Sequence, residues 1–478
     1  MPETAVQVTN AAAIIEELTE VLGPSGVLTD PGDLDRYGRD QSGHPGEAAI
    51  AVLRPASTIE VSRAVTICAR HGVAIVPQGG RTGLSGGGCG IVGSVILSLE
   101  RLRGIEAVDA AGMTMTVRAG TPLEEVQNHA RKVGLDYPVD LGARGTATIG
   151  GTIATNAGGI RVLRFGMTRQ QVLGLEVVLP DGEVLTQMHG LVKDNSGYDL
   201  KQIFIGSEGT LGIICRAVLQ LKPYRPNSAL ALIALRDHDA ALQCLSSLRD
   251  RFDTALIAFE GMWPDYWQMV CHEAAIVKTP FEGTHGFYAL LEIELRPDET
   301  SDALEAWLSD AFEADLIQDG VLAQSLSEHR NLWTIREAVG EIDDQLGPHI
   351  NFDIAVAPSR LGRFCIEVQT LLATLPDALR SVKVGHVGDG NVHLLVSHAS
   401  DRDPSLIERA VYDLVQQYAG AVTAEHGVGR LKVGWLSASR TETERKLMTR
   451  IKSCIDPRNL MNPGVILASQ GPDKVGRQ

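Results

Sequence analysis

Short apolar runs broken by glycine, proline and Asp-Gly set the rhythm of the first half of the chain: AIAVLRP (49–55), VAIVPQGG (73–80), SVILSL (94–99), MTMTVRAG (113–120) and GLEVVLPDGEVL (174–185). Runs of this length and β-branched content, bounded by turn residues, predict strands. Between them, STIEVSRAVTICARHG (57–72) predicts a helix carrying Ile59, Val65 and Ile67 and stopping at Gly72. Near the start, Ile14, Ile15, Leu18 and Leu22 recur at helical spacing and predict an amphipathic helix. After the proline-bearing connector LKPYRPNS (221–228) the rhythm lengthens: ALALIAL, HDAALQCLSSLRDRF, TALIAFEG, FYALLEIEL and ETSDALEAWLSDAFEADL alternate strand with amphipathic helix. That alternation suits a ferredoxin-like antiparallel sheet covered by helices on one face. From about 421, AVTAEHGVGRLK, a helix and DPRNLMNPG form a return segment. The expected architecture is therefore α+β, divided at 1–223, 224–420 and 421–478, with the last part packing back on the first. No internal repeat stands out.

Size and charge narrow the function. A chain of 478 residues exceeds what one core supports, so several packed units are expected. A formal net charge of −16 disfavours nucleic acid and anionic lipid as partners. Seven scattered cysteines with no CxxC pair argue for a reducing compartment and against a thiolate zinc site. The first twenty residues lack a basic n-region, and no run approaches the roughly 18 apolar residues of a spanning helix, so a cytoplasmic location is expected.

Two stretches carry candidate chemistry. The first is PQGGRTGLSGGGCGIVG (77–93), within which GCGIVG (88–93) matches the dinucleotide fingerprint G-x-G-x-x-G. The fingerprint requires a following helix, whereas SVILSL reads as a strand, so nicotinamide dinucleotide binding is rejected there. The better anion site is earlier: a strand breaking into Gly79, Gly80 and Gly83, where bare backbone N–H groups can wrap a phosphate, although a tightly packed turn that binds nothing remains open. The second stretch is GHVGDGNVHLL (385–395). If Asp389-Gly390 forms a two-residue hairpin turn, His386 lies directly opposite His393, with Cβ atoms roughly 4.5–5.5 Å apart. Two imidazoles so placed, with Glu425 from AEHGVG, make the ligand set of an open catalytic divalent site. Histidines hydrogen-bonded on a sheet face are the plainer alternative, and for Asn391 the turn role is the plainer one.

The blocks YPVDLGARGTATIGGTIATNAGG (137–159) and VKDNSGYDLKQIFIGSEGTLGII (192–214) bring in a resemblance covering nearly the whole chain. The sequence resembles the FAD-dependent dehydrogenases related to vanillyl-alcohol oxidase, and within them the D-2-hydroxy-acid group that includes D-2-hydroxyglutarate and D-lactate dehydrogenases. The resemblance implies a vanillyl-alcohol-oxidase-type FAD-binding domain. Its cofactor contacts would come from Pro77, Gly79, Gly80, Arg81, Thr82 and Gly83, from Asp140, Gly142, Gly150, Gly151, Thr155 and Asn156, and from Gly212, Ile213 and Asn462. Relatives with covalent FAD often carry a histidine in the first loop; Arg81 and Thr82 stand there here, which implies non-covalent FAD. By the same resemblance His386, His393 and Glu425 hold a divalent metal, zinc first with manganese or cobalt as alternatives. His426 becomes the base and Arg336 the anchor of the substrate carboxylate.

The pattern departs from the hydroxyglutarate type at three places. Asn351 replaces a lysine, Gly340 a threonine and Leu395 an asparagine. The expected activity is oxidation of a D-2-hydroxy acid with a small or apolar tail, with D-2-hydroxyglutarate as the alternative substrate. Asn351, Leu395 and His426 would join Arg336 around the substrate. Hydride would pass to flavin N5 and electrons onward to an electron-transfer flavoprotein, quinone or cytochrome, from a possible homodimer. Rival readings are a metal-independent glycolate-oxidase-like subunit, a metal-dependent hydrolase with structural glycine loops, and a non-catalytic electron-transfer subunit.

Overall fold

The computed structural model describes residues 11–468 apart from Arg402. The chain forms two compact units. The first comprises residues up to 158, 167–224 and 425 onward; the second comprises 159–166 and 225–424. Among the described residues no helix is long and apolar enough to cross a membrane.

In the first unit, the strands Ala51–Leu53, Val95–Ser98 and Ile75–Gln78 lie side by side and parallel, with the short Val27–Leu28 added antiparallel at one edge. Nearly all their side chains are buried, as the unbroken apolar runs require of a sheet covered on both faces. The crossover helix Thr58–His71 starts where Ser57 accepts from the Glu60 N–H. It ends at Gly72, whose φ of 70° is left-handed and whose N–H caps the Cys68 and Ala69 carbonyls. It buries Val61, Ala64, Val65, Ile67 and Cys68, whereas Ile59 points outward. A second, antiparallel sheet runs in the order Ile105–Asp109, Thr114–Arg118, Ile213–Gln220, Val172–Val178, Val184–Gln187. GCGIVG leads straight into the strand Val95–Ser98 with no helix between. The returning chain joins the parallel sheet through the Asn462 N–H, which donates to the Ile75 carbonyl.

The second unit is one seven-stranded antiparallel sheet in the order Asp319–Leu322, Ser228–Leu235, Phe287–Glu294, Leu256–Met262, Ala378–Gly385, Asn391–His398, His349–Ala355. Its first four strands have the 4-1-3-2 order of a ferredoxin-like fold, with helices His238–Phe252 and Asp302–Glu313 as crossovers. The last three repeat that order, with helix Pro358–Leu372 as crossover and residues 421–423 bridging Asp353 and Ala355 in the place of a fourth strand. The two halves meet edge to edge where Gly261 pairs with Gly385 and Met262 with Val384. No internal repeat stands out in the sequence to announce this shared strand order. The expectation of helices on one face needs correction: the helix Leu326–Glu337 and the segment 264–273 enclose a cluster on the other face. That cluster includes Leu230, Met262, Leu290, Ile335, Val384 and Leu395.

Candidate active site

Pro77, Gly79, Gly80, Arg81, Thr82 and Gly83 line a cleft of about 460 Å³ in the first unit, together with Gly142, Gly150, Gly151, Thr155, Gly212, Ile213, Glu425, His426 and Asn462. The glycines are needed for packing in the first instance. A Cβ on Gly80 would stand 1.9 Å from the Thr146 carbonyl oxygen, and one on Gly79 2.4 Å from Thr148 Oγ1, so the two loops close only without side chains. The close packing leaves the donors open. Among the described residues, the backbone N–H groups of Gly79, Gly80, Arg81, Thr82 and Gly83 have no protein acceptor. Five consecutive unsatisfied donors on one loop call for an anion, and the pyrophosphate of FAD fits that demand. The neighbouring helix Ile149–Thr155 contributes less, because its first N–H groups are taken by Thr121, Ala119 and Thr148.

Three cofactor candidates sit otherwise than expected. Asp140 and Asn156 are absent from the cleft wall: the Asp140 carboxylate accepts from Arg144 Nε at 2.6 Å, and Asn156 ends the helix at φ 49° while its Oδ1 accepts from the Arg169 N–H. Arg81 lines the cleft with a left-handed backbone (φ 60°), but its guanidinium donates to the Arg36 carbonyl and lies over the Tyr37 ring.

The loop bearing Glu425 and His426 is held by a residue that the motif reading passed over. Glu208, in IGSEGTLG, accepts from the Val428 N–H with one carboxylate oxygen and from the Gly429 N–H with the other, both at 2.8 Å. Gly427 (φ 80°) must lack a side chain, since a Cβ would reach within 2.9 Å of that carboxylate. Burial pushes the Glu208 carboxyl up to about 7, against the pull of the two N–H groups and Lys432. Asn462 ties the same region together, its Nδ2 donating to the Gly87 and Glu208 carbonyls. Ser85 Oγ donates to the His426 and Gly427 carbonyls.

In the second unit, His386 and His393 come together by a route different from the predicted hairpin. Val384, not His386, pairs with His393, and a five-residue connection, 386–390, replaces the two-residue turn. The His386 carbonyl accepts from the N–H groups of Asp389, Gly390 and Asn391. Gly390 has φ 85°, and its missing Cβ makes room for the Val356 carbonyl. Because the offset is two residues, His386 keeps the face of His393 and becomes its diagonal neighbour. The ring centroids lie 5.6 Å apart at 81°.

Each imidazole is backed by a buried carboxylate from a neighbouring strand. The register that pairs Gly261 with Gly385 brings Glu260 level with His386, whose Nδ1 lies 2.8 Å from Glu260 Oε1. Asp353 faces His393 directly, 3.8 Å from Nδ1. It also accepts from Asn391 Nδ2, Thr423 Oγ1 and the Ala424 N–H, so Asn391 supports the turn and this carboxylate together. Glu425 follows Ala424 in the chain. Neither Glu260 nor Asp353 was marked in sequence, though a lone acid inside each of the apolar strands LIAFEGM and HINFDIA was the available signal. Two imidazoles on one face, one hydrogen-bonded to a buried carboxylate and the other 3.8 Å from a second, are a donor set that fits a divalent ion.

Arg336, expected at the substrate carboxylate, is buried and donates through Nε and Nη2 to Glu260 Oε2 at 2.7 Å. Burial alone would raise the Glu260 carboxyl, but His386 and Arg336 outweigh it and hold it below the usual range. Leu395, expected at the substrate, is instead completely buried in the apolar cluster with Val382, Val384 and Ile335. Asn351, its cross-strand partner, is exposed.

The chain matches the FAD binding domain family over residues 49–187 and the family of FAD linked oxidases, C-terminal domain, over 225–466. An FAD-linked oxidase is thus the class defined by fold and cleft. D-2-hydroxyglutarate dehydrogenase of Xanthomonas citri pv. viticola is 39% identical over 91% of this chain and 93% of its own length. A mitochondrial protein of Schizosaccharomyces pombe, provisionally named D-lactate dehydrogenase, is 33% identical over 94% of this chain and 89% of its own. A solved alkyldihydroxyacetonephosphate synthase shares the fold at TM-score 0.73 and 18% identity, covering 94% of this chain and 84% of that one. The chain belongs to the FAD-dependent D-2-hydroxy-acid dehydrogenases.

Proposed function

We propose that the chain oxidises a D-2-hydroxy acid with a small or apolar tail, using non-covalent FAD and a divalent metal ion. The open N–H groups of residues 79–83 carry the placement of FAD, since they demand an anion and no histidine stands in that loop to bond the flavin. FAD bound there supplies the hydride acceptor, and a separate carrier must then take its electrons. His386, His393 and Glu425 would hold the metal. A divalent ion so held would supply Lewis acidity, lowering the pKa of a bound hydroxyl. His426, beside Glu425 on the cleft wall, is the base that takes the hydroxyl proton. Glu208 and Ser85 keep that segment in place through its backbone.

The tail preference rests on what the three departing positions offer. Asn351, Gly340 and Leu395 carry neither a cation nor a hydroxyl where the hydroxyglutarate type has polar side chains, so the preference stands on residue type and not on a contact, Leu395 being packed in the apolar cluster. D-2-hydroxyglutarate is the competing substrate, favoured by the more similar of the two named relatives. An anaerobic screen of D- and L-2-hydroxy acids, read by bleaching of the flavin band, separates the two. D-Lactate and longer D-monocarboxylates are expected to bleach fastest and the L-acids not at all. A large preference for D-2-hydroxyglutarate would overturn the tail assignment.

A further inference from the structure

Resting on the metal reading above, the geometry points to Glu260 as a positioning residue. It fixes the tautomer and orientation of His386 for metal binding, and Arg336 acts through it.

Three observations in the second unit carry this. First, Glu260 Oε1 sits 2.8 Å from Nδ1 of His386, so a proton on Nδ1 directs the lone pair of Nε2 to the other end of the ring. Second, both Arg336 contacts fall on Oε2, leaving Oε1 to the imidazole, so the carboxylate is divided between a cation and a ligand histidine. Third, Glu260 is 1% exposed on a strand whose other residues are mostly apolar. Burying a carboxylate and a guanidinium costs several kcal/mol per ion unless each is paired, and a Leu–Met pair of similar volume would pack the sheet without that cost. The acid therefore stands where apolar residues would serve stability equally well, at the one level of the sheet that faces His386. Arg336 supplies the positive charge that pairs with Glu260 in that interior.

Metal affinity and imidazole chemistry test this more directly than turnover. In the flavin-loaded protein, Glu260→Gln should weaken binding of added zinc, measured by competition with a chromophoric chelator, by about 10- to 100-fold. Glu260→Asp should recover part of the loss. Nitrogen-15 NMR of the metal-free wild type should show His386 as the Nδ1–H tautomer, and Glu260→Gln should mix the two tautomers. Because Glu260→Gln strands the Arg336 charge, the double variant Glu260→Gln/Arg336→Met is measured beside it, and a retained flavin band reports folding of both. Wild-type protein that binds zinc with a loss in His386→Ala, but keeps its affinity and tautomer in both glutamine variants, overturns the positioning role alone. Wild-type protein that binds no divalent ion overturns the metal reading and this inference together.

Discussion

Single residues set the terms of both halves of the site. Glu208 is the clearest titration. Its folded pKa of about 7 lies above the ordinary carboxylate value, so the folded state holds the proton longer than the unfolded chain does. The sign follows: its stabilising contribution is complete below the unfolded pKa and is lost as pH rises through about 7, on the order of 3 kcal/mol. Thermal midpoints measured across pH 4 to 8 should show this decline in the wild type and a flatter profile in Glu208→Gln. Gly80 is a steric test. A Cβ there meets the Thr146 carbonyl oxygen at 1.9 Å, so Gly80→Ala should destabilise the first unit by about 2 kcal/mol or more and lower flavin content after purification. At this scale the sequence told much about residue types and less about partners. The glycines of 77–83 were plain from their spacing, yet that Gly79 abuts Thr148 and Gly80 abuts Thr146 depends on a second loop far along the chain. Glu260 meets His386 across 126 residues, a pairing that only the sheet register creates.

Elements explain why a wrong register still led to the right pair. A hairpin closed at Asp389-Gly390 and the observed connection 386–390 differ by two residues, and a two-residue slip preserves the face on which side chains lie. A one-residue difference would have sent His386 to the opposite side. The turn geometry was not legible because Gly390 is needed for its approach to Val356 as well as for its own left-handed backbone. Gly390→Ala, with φ 85° and a Cβ 2.1 Å from the Val356 carbonyl oxygen, should displace the connection and weaken zinc binding by about tenfold or more while leaving flavin content unchanged. Equilibrium dialysis against zinc, with the flavin band as control, reads both quantities. The helices followed their periodicity well, except that Ile59 at the first turn of its helix faces solvent despite being apolar.

At the scale of the whole molecule, flavin cleft and histidine pair belong to different units. The cleft wall draws all its residues from the first unit, so exhaustive chelation should leave FAD bound in full. The crossing at LKPYRPNS was readable from its prolines. The excursion of 159–166 into the second unit was not, since so short a segment has no hydrophobic period of its own. Duplication of the ferredoxin-like half was equally hidden, because a shared strand order needs only similar apolar patterning and no shared residues. The proposed reaction needs both groups in one chain: FAD to take the hydride and a divalent ion at the histidine pair to ready the hydroxyl. Stopped-flow bleaching of the flavin by a D-2-hydroxy acid under anaerobic conditions, before chelation, after it and after zinc is restored, tests that most directly. The expected result is a fall on the order of 100-fold or more with FAD still bound, reversed by added metal; an unchanged bleaching rate in protein shown by elemental analysis to hold no metal would contradict it.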